Sequence, residues 1–453
     1  MVVSPRHTHG SELDRYQSDD AAVSRPARIA LYGSGGAPYH HAGVLARAGH
    51  SVEFVFAFDI LQGALEGFDA FVMPGGGYRA MQGQIDPLGR TGARAIHEYV
   101  SSGGMYIGSC AGSYGAAKAP QSFLNVCPAQ ADLCLLNAEI WNAGNEWRAL
   151  QSPGVGVLVS QTAAPDHPVM EGMPEYFQIT HYNGPLFRGG DVLATVEGVT
   201  ENFTPAERFL GDYKGQTLID EAARQHIPNI VSGPLGNGRV VLFGSHPEFG
   251  STLGMEDEPQ SARMLVNAIK WQLDAQNGTE RRKTAVYSQT QPLPQDDYVG
   301  QVRSAAERVR AACEELKVRD GDPPWLQNAY AMSVFGLRPR TIWETGLDII
   351  CRKAQEIKER AGDVAPRVLA FRTPHDWETD GGYHGVLALT EQCEQLLRQA
   401  SDDWNIELGE PVPEAYAYAT SSPFHLVAGS YLAALGRMVG AGILCEIAGK
   451  EQS

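Results

Sequence analysis

The sequence predicts an α/β fold with a doubly wound, mostly parallel sheet, followed by an all-α helical bundle. Up to about residue 275, short apolar runs alternate with helical patterns, and glycine-rich turns follow the apolar runs. Beyond a polar stretch the alternation stops, and apolar residues recur at helical spacing only. We therefore divide the chain into a predicted disordered tail 1–26, an α/β domain 27–275, a linker 276–295 and a helical domain 296–453.

The elements of the α/β domain follow one another in a regular order. Arg28–Tyr32 is the first predicted strand, and Gly33-Ser34-Gly35-Gly36 follows it. Because Pro38 and Tyr39 break the spacing of a dinucleotide-binding loop, we interpret these glycines as a plain turn. The other predicted strands are Ser51–Ala57, Ala70–Met73 and Met105–Gly108, and the predicted helices are Ala42–Ala48 and Arg90–Ser101. Sites on such a sheet lie at the carboxyl ends of its strands.

Composition and charge narrow the classes of partner. The chain has 453 residues and a formal net charge of -17, which argues against nucleic acid or an anionic membrane surface as a partner. Its seven cysteines show no C-x-x-C spacing, so we predict no metal site, no disulfide framework and no cofactor. The N-terminal tail lacks the apolar segment of a signal peptide. We interpret the apolar but interrupted stretch Ala415–Gly436 as a buried helix from about Pro423, and we predict a cytoplasmic protein with no membrane partner.

The most informative segment is Gly108-Ser109-Cys110-Ala111-Gly112-Ser113, which follows an apolar run that ends at Ile107. A cysteine between glycines, at a sharp turn from a strand into a helix, is typical of a nucleophile elbow. A helix N-terminus stabilises a thiolate and presents free N–H groups to an oxyanion. The alternative interpretation is a small buried cysteine at a glycine-rich turn.

Two further segments supply the other parts of a cysteine-dependent site. In Phe71–Tyr78 an apolar strand runs into three glycines, so the amide of Gly76 or Gly77 is a candidate oxyanion donor beside the N–H of Ala111. In Val240–Glu248 a strand ends in a histidine with a glutamate two residues later. A cysteine nucleophile needs a base, and the base needs an orienting carboxylate. His246 and Glu248 are the candidates for these two roles.

These segments, in this order, resemble the class I glutamine amidotransferase-like superfamily, whose members carry a Cys-His-Glu triad on a flavodoxin-like sheet. The sequence is most similar to the amidotransferase-like domain at the N-terminus of biotin–protein ligases, and the resemblance covers about residues 27–275. The motifs that carry it are Pro74-Gly75-Gly76-Gly77, Gly108–Tyr114 and His181-Tyr182-Asn183-Gly184-Pro185-Leu186-Phe187. The resemblance implies that Cys110, His246 and Glu248 form the triad.

The sequence departs from the family pattern in two places. Glutamine-hydrolysing members usually carry a glutamine four residues after the nucleophile, where this chain has Tyr114. That departure counts against glutamine as the substrate. The printed sequence also contains no Gly-Arg-Gly-Arg-like biotinyl-adenylate loop, so we do not expect it to attach biotin. Tyr182 and Asn183 are predicted to line the pocket; the alternative is a turn whose asparagine bonds its own backbone.

The second half of the chain resembles no family that we recognise. Four sets of apolar residues recur at helical spacing and predict a bundle beside the first domain; they begin at Val299, Ile342, Val386 and Phe424. Its one chemically suggestive cluster comprises His375, His384 and His425 with nearby acidic residues. We interpret the segment Pro374–Gly385 as a solvated polar loop; a metal site or a lid over the substrate are the alternatives.

Taken together, the residues predict a cysteine hydrolase that cleaves a C–N bond of amide type in a small-molecule substrate. Cys110 attacks the carbonyl carbon, His246 moves the proton, and Glu248 fixes the imidazole. One alternative is a glutamine amidotransferase that passes ammonia to a partner or to the helical half. The other is a binding or regulatory module without catalysis. The oligomeric state is not predicted.

Overall fold

The computed structural model describes residues 25–76, 82–119, 124, 128–142, 153–182, 184–201, 203–205, 215–250, 259–276, 297–319, 339–371, 383–402 and 429–450. The strands in these ranges are β1 (Arg28–Tyr32), β2 (Ser51–Val55), β3 (Ala70–Met73), β4 (Met105–Ser109), β5 (Ala138–Ile140), β6 (Gly154–Thr162), β7 (Tyr176–Tyr182), β8 (Phe187–Gly189), β9 (Asp191–Val199), β10 (Thr204–Pro205), β11 (Pro228–Leu235) and β12 (Gly238–Phe243).

Ten of these strands form one mixed sheet, and β5 pairs with β8 in a separate ribbon. One half of the large sheet is parallel, in the order β2-β1-β3-β4-β12. This is the flavodoxin-like order, with β12 in the fifth place, and it confirms the predicted fold class. The other half is antiparallel: β11, β9, β6 and β7 continue from β12, and β10 pairs with β6. The carboxyl ends of β1, β3, β4 and β12 therefore lie at one edge.

The inner parallel strands β1, β3, β4 and β12 are buried on both faces, as their continuous apolar runs predict. In β1, Ile29 and Leu31 belong to one hydrophobic cluster, whereas Ala30 and Tyr32 belong to another. Side chains alternate between the two faces of a strand, so these clusters lie on opposite sides of the sheet. The site at the carboxyl edge is consequently built on a rigid, two-sided core.

The described α-helices begin and end as follows: α1 (Tyr39–Arg47), α2 (Ala57–Leu61), α3 (Gln82–Ile85), α4 (Gly89–Ser101), α5 (Ala111–Ala116), α6 (Gln130–Leu133), α7 (Gly215–Arg224), α8 (Arg263–Ala275), α9 (Tyr298–Lys317), α10 (Pro339–Arg360), α11 (Pro366–Ala370), α12 (Val386–Asp402) and α13 (Gly429–Lys450). The predicted helical region is confirmed, and three of its four predicted helices correspond closely to α9, α10 and α12. The start of the fourth, residues 424–428, lies outside the described residues.

One predicted boundary in the first domain is wrong. The second strand was expected to continue to Ala57, but β2 ends at Val55 and α2 begins at Ala57. The backbone N–H of Phe56 donates to Asp59 Oδ2 at 2.9 Å, and this contact turns the chain into the helix. An apolar run alone does not reveal such a local capping contact.

The C-terminal helices share a hydrophobic cluster with one face of the sheet. Tyr383 stacks on Phe54 of β2 with ring centroids 4.0 Å apart, and its N–H donates to Gly33 O at 2.9 Å. Arg47 of α1 pairs with Glu446 of α13 at 2.8 Å. The predicted tail 1–26 and linker 276–295 fall almost wholly outside the described residues, so those domain limits stay predictions.

Among the helices of the described ranges, none combines the length and the apolar character that crossing a membrane requires. In α13, the buried side chains include Ala434, Met438, Ala441 and Leu444, and they belong to the cluster shared with the sheet.

Candidate active site

Cys110 lies at the turn between β4 and α5, at the carboxyl edge of the parallel strands. Its backbone has φ 48° and ψ -107°, a region that residues with a side chain rarely adopt. The surrounding structure holds this conformation: the N–H of Cys110 donates to Phe243 O at 2.8 Å. Ser113 Oγ lies 2.7 Å from the same carbonyl and 2.8 Å from Gly108 O. The predicted elbow geometry is therefore present.

The glycine two residues after Cys110 allows the turn to pack against the neighbouring strand. A Cβ atom at Gly112 would collide with the carbonyl oxygen of Met73, the last residue of β3. The turn therefore sits directly on β3, and the segment that follows β3 reaches the thiol. A Cβ at Gly75 would lie 2.9 Å from the Cβ of Cys110.

His246 and Glu248 follow the end of β12, where the sequence predicted them. Nδ1 of His246 lies 2.8 Å from Oε1 of Glu248, and both side chains are buried. The segment is anchored by β7, because the N–H of His246 donates to Thr180 O at 2.7 Å. The ring also stacks on Phe249 with centroids 4.7 Å apart. These contacts fix the plane of the imidazole.

The charges of the site favour a protonated His246. Burial by itself lowers the pKa of His246, but Glu248 and Cys110 offset that effect and raise it to about 10. Burial raises the pKa of Glu248, but His41 and His246 outweigh it and leave the pKa lowered. The pair consequently combines an ionised carboxylate with an imidazolium near neutral pH.

The Cys110 thiol donates to the carbonyl oxygen of Tyr182 at 3.3 Å. Within the described ranges, Nε2 of His246 is buried and has no hydrogen-bond partner. Because Nδ1 is engaged by Glu248, Nε2 is the nitrogen left to exchange a proton with the thiol. Cys110 is also close enough to His246 to raise the pKa of that ring.

Tyr114 belongs to a network of hydrogen bonds that reaches Gly184 and Leu186, just after Tyr182 in the chain. The hydroxyl of Tyr114 accepts a bond from Asn142 Nδ2 at 3.0 Å. The same amide nitrogen donates to Gly184 O at 3.2 Å, and Asn142 Oδ1 accepts from Leu186 N at 2.9 Å. Tyr114 thus helps to position the segment that follows Tyr182, whose carbonyl contacts the nucleophile.

Two buried histidines that were not among the predicted site residues lie beside His246 and Glu248. His41, on α1, has Nε2 3.4 Å from Glu248 Oε2 and 2.9 Å from Ser109 Oγ. His181, at the end of β7, has Nδ1 3.1 Å from Ser245 Oγ, and burial lowers its pKa to about 3. The only signal for His41 in the sequence was a histidine pair soon after the first glycine-rich turn.

Only some of the remaining predicted positions fall within the described residues. Among the predicted oxyanion donors, Gly76 is described, with φ 79°, and Ala111 is the first residue of α5. Gly77, Asn183, His375 and His425 lie outside the described residues. The backbone N–H of His384 donates to the hydroxyl of Tyr39 at 3.0 Å. In the part of the chain that the structure describes, no group of three or more His, Cys, Asp or Glu side chains is arranged to hold a metal ion.

Residues 65–123 match a protein-family model described as "Biotin-protein ligase, N terminal". The matched segment includes Pro74–Gly77 and Gly108–Tyr114, and it confirms the resemblance that these motifs predicted. The segments around His181 and His246 lie outside the match. No curated protein matches the chain.

Solved structures with a similar arrangement share little sequence with this chain. A cytoplasmic protein from Salmonella typhimurium is 14% identical with a TM-score of 0.34, and the match covers 54% of this chain and 98% of that one. PurLQS from Thermotoga maritima is 14% identical with a TM-score of 0.32 and the same coverage, 54% and 98%. A thua-like protein from Parabacteroides merdae is 18% identical with a TM-score of 0.34, covering 60% and 94%. Similarity this low says nothing about activity.

Proposed function

We propose that this protein is a cysteine-dependent hydrolase that cleaves a C–N bond of amide type. The observation that carries the proposal is the buried His246–Glu248 pair, 2.8 Å apart, beside a cysteine held in a strained strand-to-helix turn. Such strain persists where the surrounding structure enforces it, and it is concentrated at functional sites. The match of residues 65–123 to the biotin–protein ligase N-terminal family supports an amidotransferase-like reaction centre.

Acylation begins with attack of Cys110 Sγ on the carbonyl carbon of the amide. Because His246 is an imidazolium, Cys110 attacks as the thiolate whose proton Nε2 of His246 already holds, and the π electrons of the carbonyl move to its oxygen. When the tetrahedral intermediate collapses, the C–N bond breaks and the amine leaves with the proton from His246. The product of this step is a thioester on Cys110.

Deacylation uses the same groups in the opposite direction. His246 takes a proton from a water molecule, whose oxygen attacks the thioester carbonyl. The C–S bond then breaks, the acid leaves, and Cys110 is left as the thiolate beside the imidazolium of His246. Glu248 stabilises the imidazolium in both steps without taking the proton.

The backbone N–H of Ala111, at the start of α5, is the first proposed oxyanion donor, because Cys110 precedes it directly. The segment after β3 supplies the second donor, at Gly76 or Gly77. Gly75 lies against both Cys110 and His246, which supports a donor on this segment.

Tyr114 argues against free glutamine as the substrate. In this chain the hydroxyl at that position is bonded to Asn142, and the ring is buried. A phenol offers a single hydroxyl where the usual glutamine offers an amide with a separate donor and acceptor, so Tyr114 cannot hold a glutamine amide in the same way. We therefore expect a small amide other than glutamine.

The proposal is tested with purified full-length protein, limiting iodoacetamide and peptide mass mapping. We expect Cys110 to be alkylated first, because the imidazolium of His246 stabilises its thiolate. Cys134 is a matched control: it is part-buried, and burial raises the pKa of its thiol. Preferential alkylation of Cys134 would overturn the assignment of the nucleophile.

Turnover is tested with a panel of small amides that includes glutamine, with detection of the released ammonia or amine. We expect release that disappears in Cys110→Ala and persists in Cys134→Ala. Fast, Cys110-dependent ammonia release from glutamine would favour an amidotransferase instead. Binding without turnover of every amide would favour a regulatory module.

A further inference from the structure

His41 is fully buried at the site, yet the proposed mechanism gives it no step. It lies on α1, more than two hundred residues before Glu248 in the sequence. Its Nε2 is 2.9 Å from the hydroxyl oxygen of Ser109 and 3.4 Å from Oε2 of Glu248. One ring therefore contacts both the residue before the nucleophile and the carboxylate that supports the base.

The position of the proton on His41 follows from its surroundings. Nδ1 is buried and, among the described residues, has no hydrogen-bond partner. A proton at Nδ1 would therefore bury an unsatisfied N–H group, which is costly. Nε2 has two oxygen atoms within reach, so it carries the proton. Burial lowers the pKa of His41, so the ring is neutral near neutral pH and carries a charge only in acid.

We propose that neutral His41 is a positioning residue: it keeps Oε2 of Glu248, 3.4 Å from its Nε2, in place and thereby fixes the carboxylate that orients His246. This inference rests on the proposed function. It adds a fourth side chain to the site, supplied by a helix on the face of the sheet that also carries the C-terminal helices.

The two oxygens of Glu248 show why this contact is needed. Oε1 is 2.8 Å from His246 Nδ1, whereas Oε2 is buried, makes no hydrogen bond within the described ranges and has Nε2 of His41 at 3.4 Å. Without His41, this buried oxygen would lose the N–H group beside it, and we expect the carboxylate to rotate or to become protonated. Either change would weaken the support that Glu248 gives to His246.

Because Ser109 directly precedes Cys110, the same ring also links the elbow to the carboxylate. The titratable groups that face this cluster are His246, Glu248 and Cys110, with His181 beyond His246. Their common readout is the pH at which the Cys110 thiolate forms.

The test measures the rate of Cys110 alkylation by iodoacetamide between pH 5 and 9, with mass mapping, in full-length variants. The midpoint is the pH at which the alkylation rate reaches half of its maximum. In His41→Leu the donor is lost, and we expect this midpoint to rise by about one pH unit, which slows alkylation roughly tenfold below the midpoint. In His41→Gln an amide N–H reaches a similar position, and we expect the midpoint to return to within a few tenths of the wild-type value. His167→Leu is the matched control, because His167 also lies near a serine hydroxyl, Ser232 at 3.5 Å, but away from Cys110.

The outcomes separate this proposal from the one on which it rests. A His41→Leu protein that melts cooperatively and keeps the wild-type midpoint overturns the role of His41. If His246→Ala also keeps the midpoint, the pairing of Cys110 with His246 is wrong and the proposed function fails. Should His41→Leu not fold, His41→Asn replaces it, since its amide stops short of Glu248; an unchanged midpoint there refutes the proposal equally.

Discussion

Replacing Gly75 by alanine would drive a methyl group between the proposed nucleophile and its base. The added Cβ would collide with Cε1 of His246, lie 3.1 Å from Nδ1 of that ring, and lie 2.9 Å from the Cβ of Cys110. The ring is not free to yield, because Glu248 holds it at 2.8 Å and Phe249 stacks on it. The strain must therefore be relieved by moving the ring away from the thiol or by shifting the turn.

The magnitude follows from the cost of overpacking a closely packed site. We expect Gly75→Ala to lower the free energy of unfolding by about 1–3 kcal/mol. For a cooperative unit of this size, that corresponds to a fall in Tm of roughly 2–10 °C. Displacement of His246 should also slow the alkylation of Cys110 near pH 6.5 by about tenfold, because the thiolate loses part of its imidazolium partner.

Thermal melting and the iodoacetamide rate measure the two effects on the same protein. Gly198→Ala is the control, because a Cβ at that position of β9 meets no atom within 4 Å. It should leave both quantities unchanged. If Gly75→Ala melted and reacted like Gly198→Ala, the close contact between the β3 segment, Cys110 and His246 would be refuted.

Three further predictions follow from the same contacts. Glu248→Gln should reduce kcat at saturating substrate by about a hundredfold or more, because the imidazolium of His246 loses its carboxylate partner. If this variant kept the wild-type kcat, another carboxylate would orient His246. Burial lowers the pKa of His181 to about 3 and of His50 to about 4. Below pH 6.5 the unfolded chain therefore binds more protons at these two residues than the folded chain does. We expect the free energy of unfolding to fall as the pH drops from 6.5 towards 4. Together the two histidines give a slope of up to roughly 3 kcal/mol per pH unit, and urea midpoints between pH 7 and 4.5 that did not fall would contradict it. Tyr383→Ala should lower Tm in a single transition, because this ring joins the helices to the sheet; a separate transition for the helices in calorimetry would show that they unfold on their own.

The elements that carry the site could be predicted because their signals are local. Arg28–Tyr32 and Ala70–Met73 are strands with the predicted limits. Each is a short apolar run buried on both faces and followed by glycines, and such a run has few other ways to bury its side chains. The cysteine turn was equally recognisable, since a glycine on each side is required where the backbone passes this close to a neighbouring strand.

The roles of Cys110, His246 and Glu248 stay predictions, but their placement together illustrates what the sequence does contain. Parallel strands present their carboxyl ends at one edge, so residues that follow β4 and β12 must lie near each other. The antiparallel half was not predicted strand by strand. Its pairing of β6 with β9 and of β9 with β11 joins segments distant in sequence, and the alternation of apolar residues does not specify a partner.

The tertiary structure alone decided which side chains surround the predicted ones. His41 contacts Glu248 only because α1 packs on the sheet beside the end of β12, and Tyr114 reaches the segment after Tyr182 through Asn142. It likewise decided that the C-terminal helices share a hydrophobic cluster with the sheet. The sequence by itself determined the strands, the glycine turns and the reactive residue types, because these depend on neighbours along the chain. Contacts between distant elements depend on how whole faces pack, and no short pattern encodes that.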